Sequence, residues 1–343
     1  MPPATVTLAA PEDVVGVIPA MLGFHPEQSV VLVGLEGARR RSCLTLRADL
    51  PLPDVDPGDL AQQLAERVSR GGADTVIAVV LTDDGPAPDG GLPYEALARG
   101  LQNALVDADV DPLDVLLVRA GRVWSYACAD ERCCPREGRR LPDTLTDAAA
   151  RFSAEVVGRG GVVWPTRAGL VASIAAPDEE RTAELEPVFA QVSAQILEMT
   201  AERGMEEVRA ETVRIFTAIH ARYAAVRERL TDAEAARLSF GLADVLARDD
   251  VLTRGAGVES GPYLAMLGDL VRSSIPPVDG PACIVLAWAA YQAGDGALAQ
   301  CALDRAARSD PDSGLGQLLA HAIEMALPPQ RLAAVSTLAT LPP

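Results

Sequence analysis

The chain has 343 residues, 49% of them hydrophobic and 23% charged, the make-up of a globular protein of two domains, or one large one, long enough to bury a proper core. Its net charge of -18 is shared by both halves. The one basic run, Arg39-Arg40-Arg41 with Arg47 close behind, follows Glu36-Gly37 and reads as a solvated hairpin turn, which excludes the basic stripe that nucleic acid or anionic lipid requires.

All 30 basic residues are arginine, and with abundant Ala, Gly, Pro and Asp this points to a GC-rich genome, not to a mechanism. The first basic residue is Arg39, so no secretory signal is expected at the amino terminus. The longest apolar runs, such as residues 283–291, are too short for a membrane span. The expected location is the cytoplasm, where thiols stay reduced.

In chain order, Val14, Val15, Ile18 and Leu22 mark an amphipathic helix over 11–22, with Gly23 as its C-cap. Residues 29–35 are a β-rich run of buried-strand length, and residues 41–50 alternate well enough to pair with it as a hairpin. Asp56-Pro57 opens a helix through Leu60, Leu64 and Val68 that Gly71-Gly72 ends. Residues 75–81 form the clearest buried strand. A Pro/Gly/Asp-rich loop over 83–93 leads to a helix over 94–107. Residues 115–118 and 123–127 are strands joined at Ala120-Gly121, a tight turn. Such alternation predicts a mixed α/β layer with helices covering a sheet.

From Pro177 the strand signal stops. Leu185, Val188, Phe189, Val192 and Ile196 recur at helical spacing, and the pattern resumes after Gly204 through Ile215, Ile219, Tyr223 and Leu230. Thr231 and Glu234 form a capping box, and Ser260-Gly261-Pro262 and Pro281 each begin a further helix. The expected organisation is therefore an α/β domain over 1–176 and a helical domain over 177–343. Residues 282–311 resemble one tetratricopeptide hairpin through Ala299, Leu303, Ala306 and Pro311, although Ala287 replaces the usual glycine. Arrays need about three repeats, which favours an ordinary helical hairpin.

The densest chemical feature is the segment from Trp124 to Gly138, which holds Cys128, Cys133 and Cys134. Structural zinc sites use four ligands, commonly as two spaced pairs. The spacing Cys-x4-Cys-Cys departs from that pattern, and a fourth ligand would come from remote Cys43 or His25. Adjacent cysteines share an ion only where the backbone turns sharply, so no metal ligand is assigned. A disulfide between Cys128 and Cys133 is a second reading, with Arg132 and Arg136 lowering a thiolate pKa and Asp130, Glu131 and Glu137 raising it. The preferred reading is structural: Trp124, Tyr126 and Cys128 line one face of an edge strand while Cys133 or Cys134 packs inward as a small hydrophobe. A structural clamp among the three thiols, Cys128, Cys133 and Cys134, stands close behind it.

Two further constellations are ligand-binding candidates. His25 lies between a helix end and a strand, where Glu27 or Ser29 would make an acid–base pair with it. Asp83 and Asp84 follow the strongest strand, at the position where open α/β sheets bind ligands and where two carboxylates would hold magnesium. No Gly-x-Ser-x-Gly nucleophile motif accompanies them, and without lysine there is no phosphate-binding P-loop. The neutral alternatives are a hydrogen-bonded loop histidine and an Asp-Asp-Gly turn.

Leu22-Gly23-Phe24-His25-Pro26, the strand over 29–33, and Trp124-Ser125-Tyr126 with Cys128, Cys133-Cys134-Pro135 and Gly138 resemble the actinobacterial domain-of-unknown-function 4192 family. Gly294-Asp295 and Asp310-Pro311 fit as well. The resemblance spans most of the chain and implies an actinobacterial, cytoplasmic protein. It brings no reaction, cofactor or partner, so no catalytic residue is assigned. Two functional readings stand open: a non-enzymatic binding or regulatory protein whose helical half contacts a protein partner, or an enzyme or metal/redox-thiol module built around His25, Asp83/Asp84 and Cys128/Cys133/Cys134.

Overall fold

The computed structural model describes residues 6–52, 55–87, 90–255, 260–329 and 331–332. These pack as two units that divide between Gly158 and Arg159, with Glu324–Leu327 belonging to the first.

In the first unit, α1 (Pro11–Leu22) ends at Gly23, whose φ of 74° is the left-handed C-cap that the sequence predicts. β1 (Ser29–Glu36) and β2 (Arg41–Asp49) form the expected antiparallel hairpin, with Arg39 and Arg40 at its turn. Asp56 caps α2 (Pro57–Arg70) by accepting the Gly58 N–H, and β3 (Thr75–Leu81) follows. Pro88 and Asp89 of the predicted loop lie outside the described residues. After it come α3 (Glu95–Asp107), β4 (Asp111–Arg119) and β5 (Arg122–Ser125). Ala120 and Gly121 both take positive φ, as the tight turn between β4 and β5 demands. A two-residue strand β6 (Arg139–Arg140) and α4 (Asp147–Gly158) complete the unit.

The sheet runs β2-β1-β3-β4-β5-β6, and β3–β4 is its parallel pair, joined through α3. This is the mixed sheet predicted from the alternation of patterns. Val30, Leu32, Val76, Ala78, Val80, Val115 and Leu117 pack against α2 and α3. Their neighbours Val31, Val33, Val79, Leu116 and Val123 are buried on the opposite face. On that face the Thr45 hydroxyl of β2 meets the Met21 sulfur of α1. Burial on both faces explains why β1 and β3 are continuous apolar runs and not alternating ones.

The second unit is helical: α5 (Arg167–Ser173), α6 (Glu179–Val226), α7 (Asp232–Gly241), α8 (Val245–Gly255), α9 (Ser260–Arg272), α10 (Gly280–Gln292), α11 (Gly296–Ser309) and α12 (Gly314–Glu324). α6 is two helices meeting at Gly204, where φ 81° and ψ 167° break the helical path. The Thr231–Glu234 capping box opens α7 as predicted. α10 is apolar nearly all round and accordingly buried, with Cys283, Ile284, Val285, Leu286 and Ala287 inaccessible to solvent. It forms the expected hairpin with α11, whose first turn is capped by Asp295.

The division at Gly158 precedes the boundary near residue 176 that the loss of strand signal marks. Residues between the two positions pack as helical-unit core: Leu170 and Ile174 are buried. Arg305 of α11 donates to the Ile174 carbonyl at 2.7 Å, and Arg272 of α9 donates to the Ser173 carbonyl at 2.7 Å. A short helix with one buried leucine gives little periodic signal, so its allegiance is set by these tertiary bonds.

Candidate functional site: a three-thiol loop

β5 stops at Ser125, whose hydroxyl donates to Asp114 Oδ1 at 2.6 Å and accepts the Ala127 N–H at 3.2 Å. Tyr126 adds one further backbone bond, from its N–H to the Val115 carbonyl. The chain then leaves the sheet and turns around Asp130. The Asp130 carbonyl accepts the N–H groups of both Cys133 (2.9 Å) and Cys134 (2.7 Å), while its carboxylate accepts the Arg132 N–H at 2.9 Å. This is the sharp turn that adjacent cysteines need if both are to face one point.

The return is fixed equally tightly. Gly138 takes φ 75°, and its N–H donates to the Pro135 carbonyl at 2.8 Å. The Trp124 indole N–H donates to the Arg136 carbonyl at 3.1 Å, and Arg122 donates to the Gly138 carbonyl at 2.8 Å. β6 then pairs with β5 at Arg122 and Val123.

Between these anchors the sulfur atoms of Cys128, Cys133 and Cys134 all lie within 4.8 Å of one another, and all three are free thiols. Cys133 is exposed and the other two are half-buried. The Asp130 N–H pointing at Cys128, then the Cys134 thiol, hold the Cys128 pKa below its ordinary value. Burial, and then the hydrogen bond to Cys128, push Cys134 up to about 11. Of the two, Cys128 is the more readily deprotonated. A tetrahedral ion with metal–sulfur bonds near 2.3 Å has sulfur–sulfur edges of about 3.8 Å, so the thiols need close in by at most about 1 Å.

The edge-strand reading of this segment is only partly right. Trp124 and Tyr126 do pack with the α2/α3 core. Cys128 lies beyond the end of β5, and β5 has β6 on its outer side, so the thiols converge in a loop instead of lining a strand face. The remaining cysteines are elsewhere: Cys43 is half-buried on β2, and Cys283 and Cys301 are buried in α10 and α11.

His25, Asp83 and Asp84 are placed differently. His25 is exposed on the loop between α1 and β1. Ser29, its suggested partner, is buried and donates to the Glu27 carbonyl while accepting from Arg47. Asp84 Oδ1 accepts from Gln28 at 3.2 Å and Oδ2 from the Tyr94 hydroxyl at 2.6 Å. The Asp83 N–H donates to the Gln28 side chain at 3.0 Å. Tyr94, then Gln28 and Thr82, lower the Asp84 pKa, and burial followed by Asp84 raises Tyr94 to about 12. These bonds tie the β3–α3 loop to the start of β1, and both oxygens of Asp84 are engaged. Among the described residues, the three thiols are the one group of ligand atoms that converges for a metal ion, and His25, Asp83 and Asp84 are not in it.

Sequence reasoning missed Asp114 and the Asp130 turn. Asp130 followed two residues later by Arg132 is an Asx-turn pattern that was legible in principle. It also missed a cavity of about 140 Å³ in the helical unit, lined by Phe216, Thr217, His220, Arg254, Gly255 and Tyr263. There burial lowers the His220 pKa, and the imidazole stands edge-on to Tyr263 at 5.2 Å.

No helix among the described residues is long and apolar enough to cross a membrane. No curated protein and no solved structure matches the chain. The sequence profile described as Domain of unknown function (DUF4192) matches residues 11–330, which takes in the thiol loop and nearly all of both units. The chain belongs to the DUF4192 family.

Proposed function

We propose that this protein is a non-enzymatic metal-binding protein whose α/β unit takes up a zinc-class divalent cation through Cys128, Cys133 and Cys134. The observation that carries this reading is the convergence of three sulfur atoms within 4.8 Å on a loop anchored at both ends. Thiolate sulfur selects zinc and similarly thiophilic ions over magnesium or calcium. A cytoplasmic location in an actinobacterium fits it, because reduced thiols are the ligating form. The test is native mass spectrometry of reduced protein incubated with zinc, beside a variant with all three cysteines changed to serine. One zinc per native chain, absent from the variant, is expected. A bare chain, or a variant that keeps its zinc, contradicts the reading.

A second role is proposed for the helical unit, as a surface for a protein partner. Leu197 and Val226 on α6, Leu246 on α8 and Leu318 on α12 are large apolar side chains exposed on this unit, each a candidate contact point. Co-purification from the native host tests it. Loss of a co-purifying protein on Leu318→Glu with zinc binding intact is expected, and recovery of the chain alone contradicts it.

A further inference from the structure

Three thiolates leave a four-coordinate ion one position short, and the surroundings of the loop decide what completes it. Among the described residues no histidine, carboxylate or further thiol joins the sulfur cluster. The two carboxylates nearest in the chain are already held. Asp130 accepts from Arg132 Nε at 3.2 Å through one oxygen and from Nη2 at 3.1 Å through the other. Glu131 accepts from Arg136 Nε at 2.6 Å. Neither carboxylate lies in the converging group, and each already has an arginine partner in an exposed ion pair.

The remote candidates are no nearer. Cys43 sits on β2, four strand spacings from β5, or about 19 Å across the sheet. The His25 loop leads into β1, three spacings from β5, or about 14 Å. Neither reaches the thiols without dismantling the sheet order. Cys133, by contrast, is exposed, so an ion among the three sulfurs has a solvent-facing side.

We infer that the cation is held by Cys128, Cys133 and Cys134 alone and keeps an open fourth position that takes a neutral nitrogen or oxygen donor from outside the chain. This rests on the metal-binding reading above and concerns what that site does. A closed four-ligand shell is structural, whereas three protein ligands with one exchangeable position mark a site that meets external ligands. Charge selects the donor class. Three thiolates around a divalent ion carry one net negative charge, and the flanking Asp130 and Glu131 are neutralised by Arg132 and Arg136. A neutral donor such as water or an imidazole adds no charge to that cluster, while a fourth thiolate adds another negative one.

The experiment loads the full-length reduced protein with cobalt(II) as a spectroscopic stand-in for zinc and then titrates imidazole. Sulfur-to-cobalt charge-transfer bands are expected on loading, absent from the variant with all three cysteines changed to serine. Imidazole is expected to shift the visible cobalt bands saturably while the charge-transfer bands persist, and to tighten the apparent cobalt affinity. Cobalt bands that ignore imidazole, or change only with an added thiol, overturn the open neutral-donor position while leaving the metal site standing. Absence of sulfur-to-cobalt bands overturns both.

Discussion

Gly138 lies flat against the indole of Trp124, so close that a Cβ added to the glycine would sit 2.3 Å from Trp124 Cε2. The same backbone has φ 75°, a conformation that side chains with a Cβ adopt at a cost. Trp124 in turn donates to the Arg136 carbonyl and faces the Arg119 guanidinium, 5.5 Å from the ring centre. The glycine and the tryptophan together hold the returning limb of the thiol loop on the sheet.

Gly138→Ala is therefore expected to destabilise the α/β unit by about 1–3 kcal/mol, from strain at positive φ and from displacement of the indole. Zinc affinity should fall with it, since Cys133 and Cys134 precede this anchor. Denaturant unfolding and zinc competition on the same variant check both effects. Full retention of stability and affinity would show that the return limb does not position the thiols.

The helical unit depends on a second buried anchor. Arg305 and Asp279 form an ion pair at 2.8 Å with their side chains 4% and 0% exposed. Arg305 also donates to the Ile174 and Ser274 carbonyls. Removing the arginine leaves a buried carboxylate and two carbonyls unpaired, so Arg305→Met is expected to cost about 3–5 kcal/mol. Thermal unfolding should show the loss in the helical unit, with zinc binding at the thiol loop still measurable. A loss below 1 kcal/mol would mean that water or relaxation replaces the pair.

At the start of α7, Thr231 accepts the Glu234 N–H while Glu234 accepts the Thr231 N–H. Thr231→Ala removes one half of this box and is expected to cost about 1 kcal/mol. Equilibrium unfolding reads it directly, and an unchanged midpoint would contradict it.

The Asp84–Tyr94 bond sets a pH dependence. Asp84 is held below its ordinary 3.8, first by the Tyr94 hydroxyl. A carboxylate with a depressed folded pKa contributes stability above its unfolded value that disappears as pH falls through the folded value. Because Asp84 is exposed, the contribution is small. Tyr94→Phe should move the Asp84 titration upward, as followed by carboxyl-carbon NMR. Tyr94 itself is raised from 10.0 to about 12, so its contribution is present below pH 10 and lost as pH rises towards 12. Unchanged Asp84 titration in the phenylalanine variant would break this account.

How much of this was legible in the residues follows from the range of the forces involved. β1 and β3 are runs of apolar residues bounded by turns, and Ala120-Gly121 and the Thr231–Glu234 box are local chemistry, so their patterns identify them directly. β6 is two residues long and exists because Arg122 and Trp124 capture the chain returning from Gly138, a tertiary event with no periodic trace. The thiol convergence was hidden for a related reason. Ligand spacing along the chain argues against Cys-x4-Cys-Cys, but the Asp130 carbonyl binding two successive N–H groups folds that spacing into a point. Position next to strand ends makes His25, Asp83 and Asp84 ligand-binding candidates in the sequence. The structure gives Asp84 to Gln28 and Tyr94 and leaves His25 apart from the thiols.

The most direct test of the central claim is zinc X-ray absorption on the reduced, zinc-loaded protein. Three sulfur scatterers at about 2.3 Å and one lighter atom at about 2.0–2.1 Å are predicted for a cation held by Cys128, Cys133 and Cys134. A shell of nitrogen and oxygen only, or one unchanged when all three cysteines are serine, would place the zinc elsewhere and contradict the account.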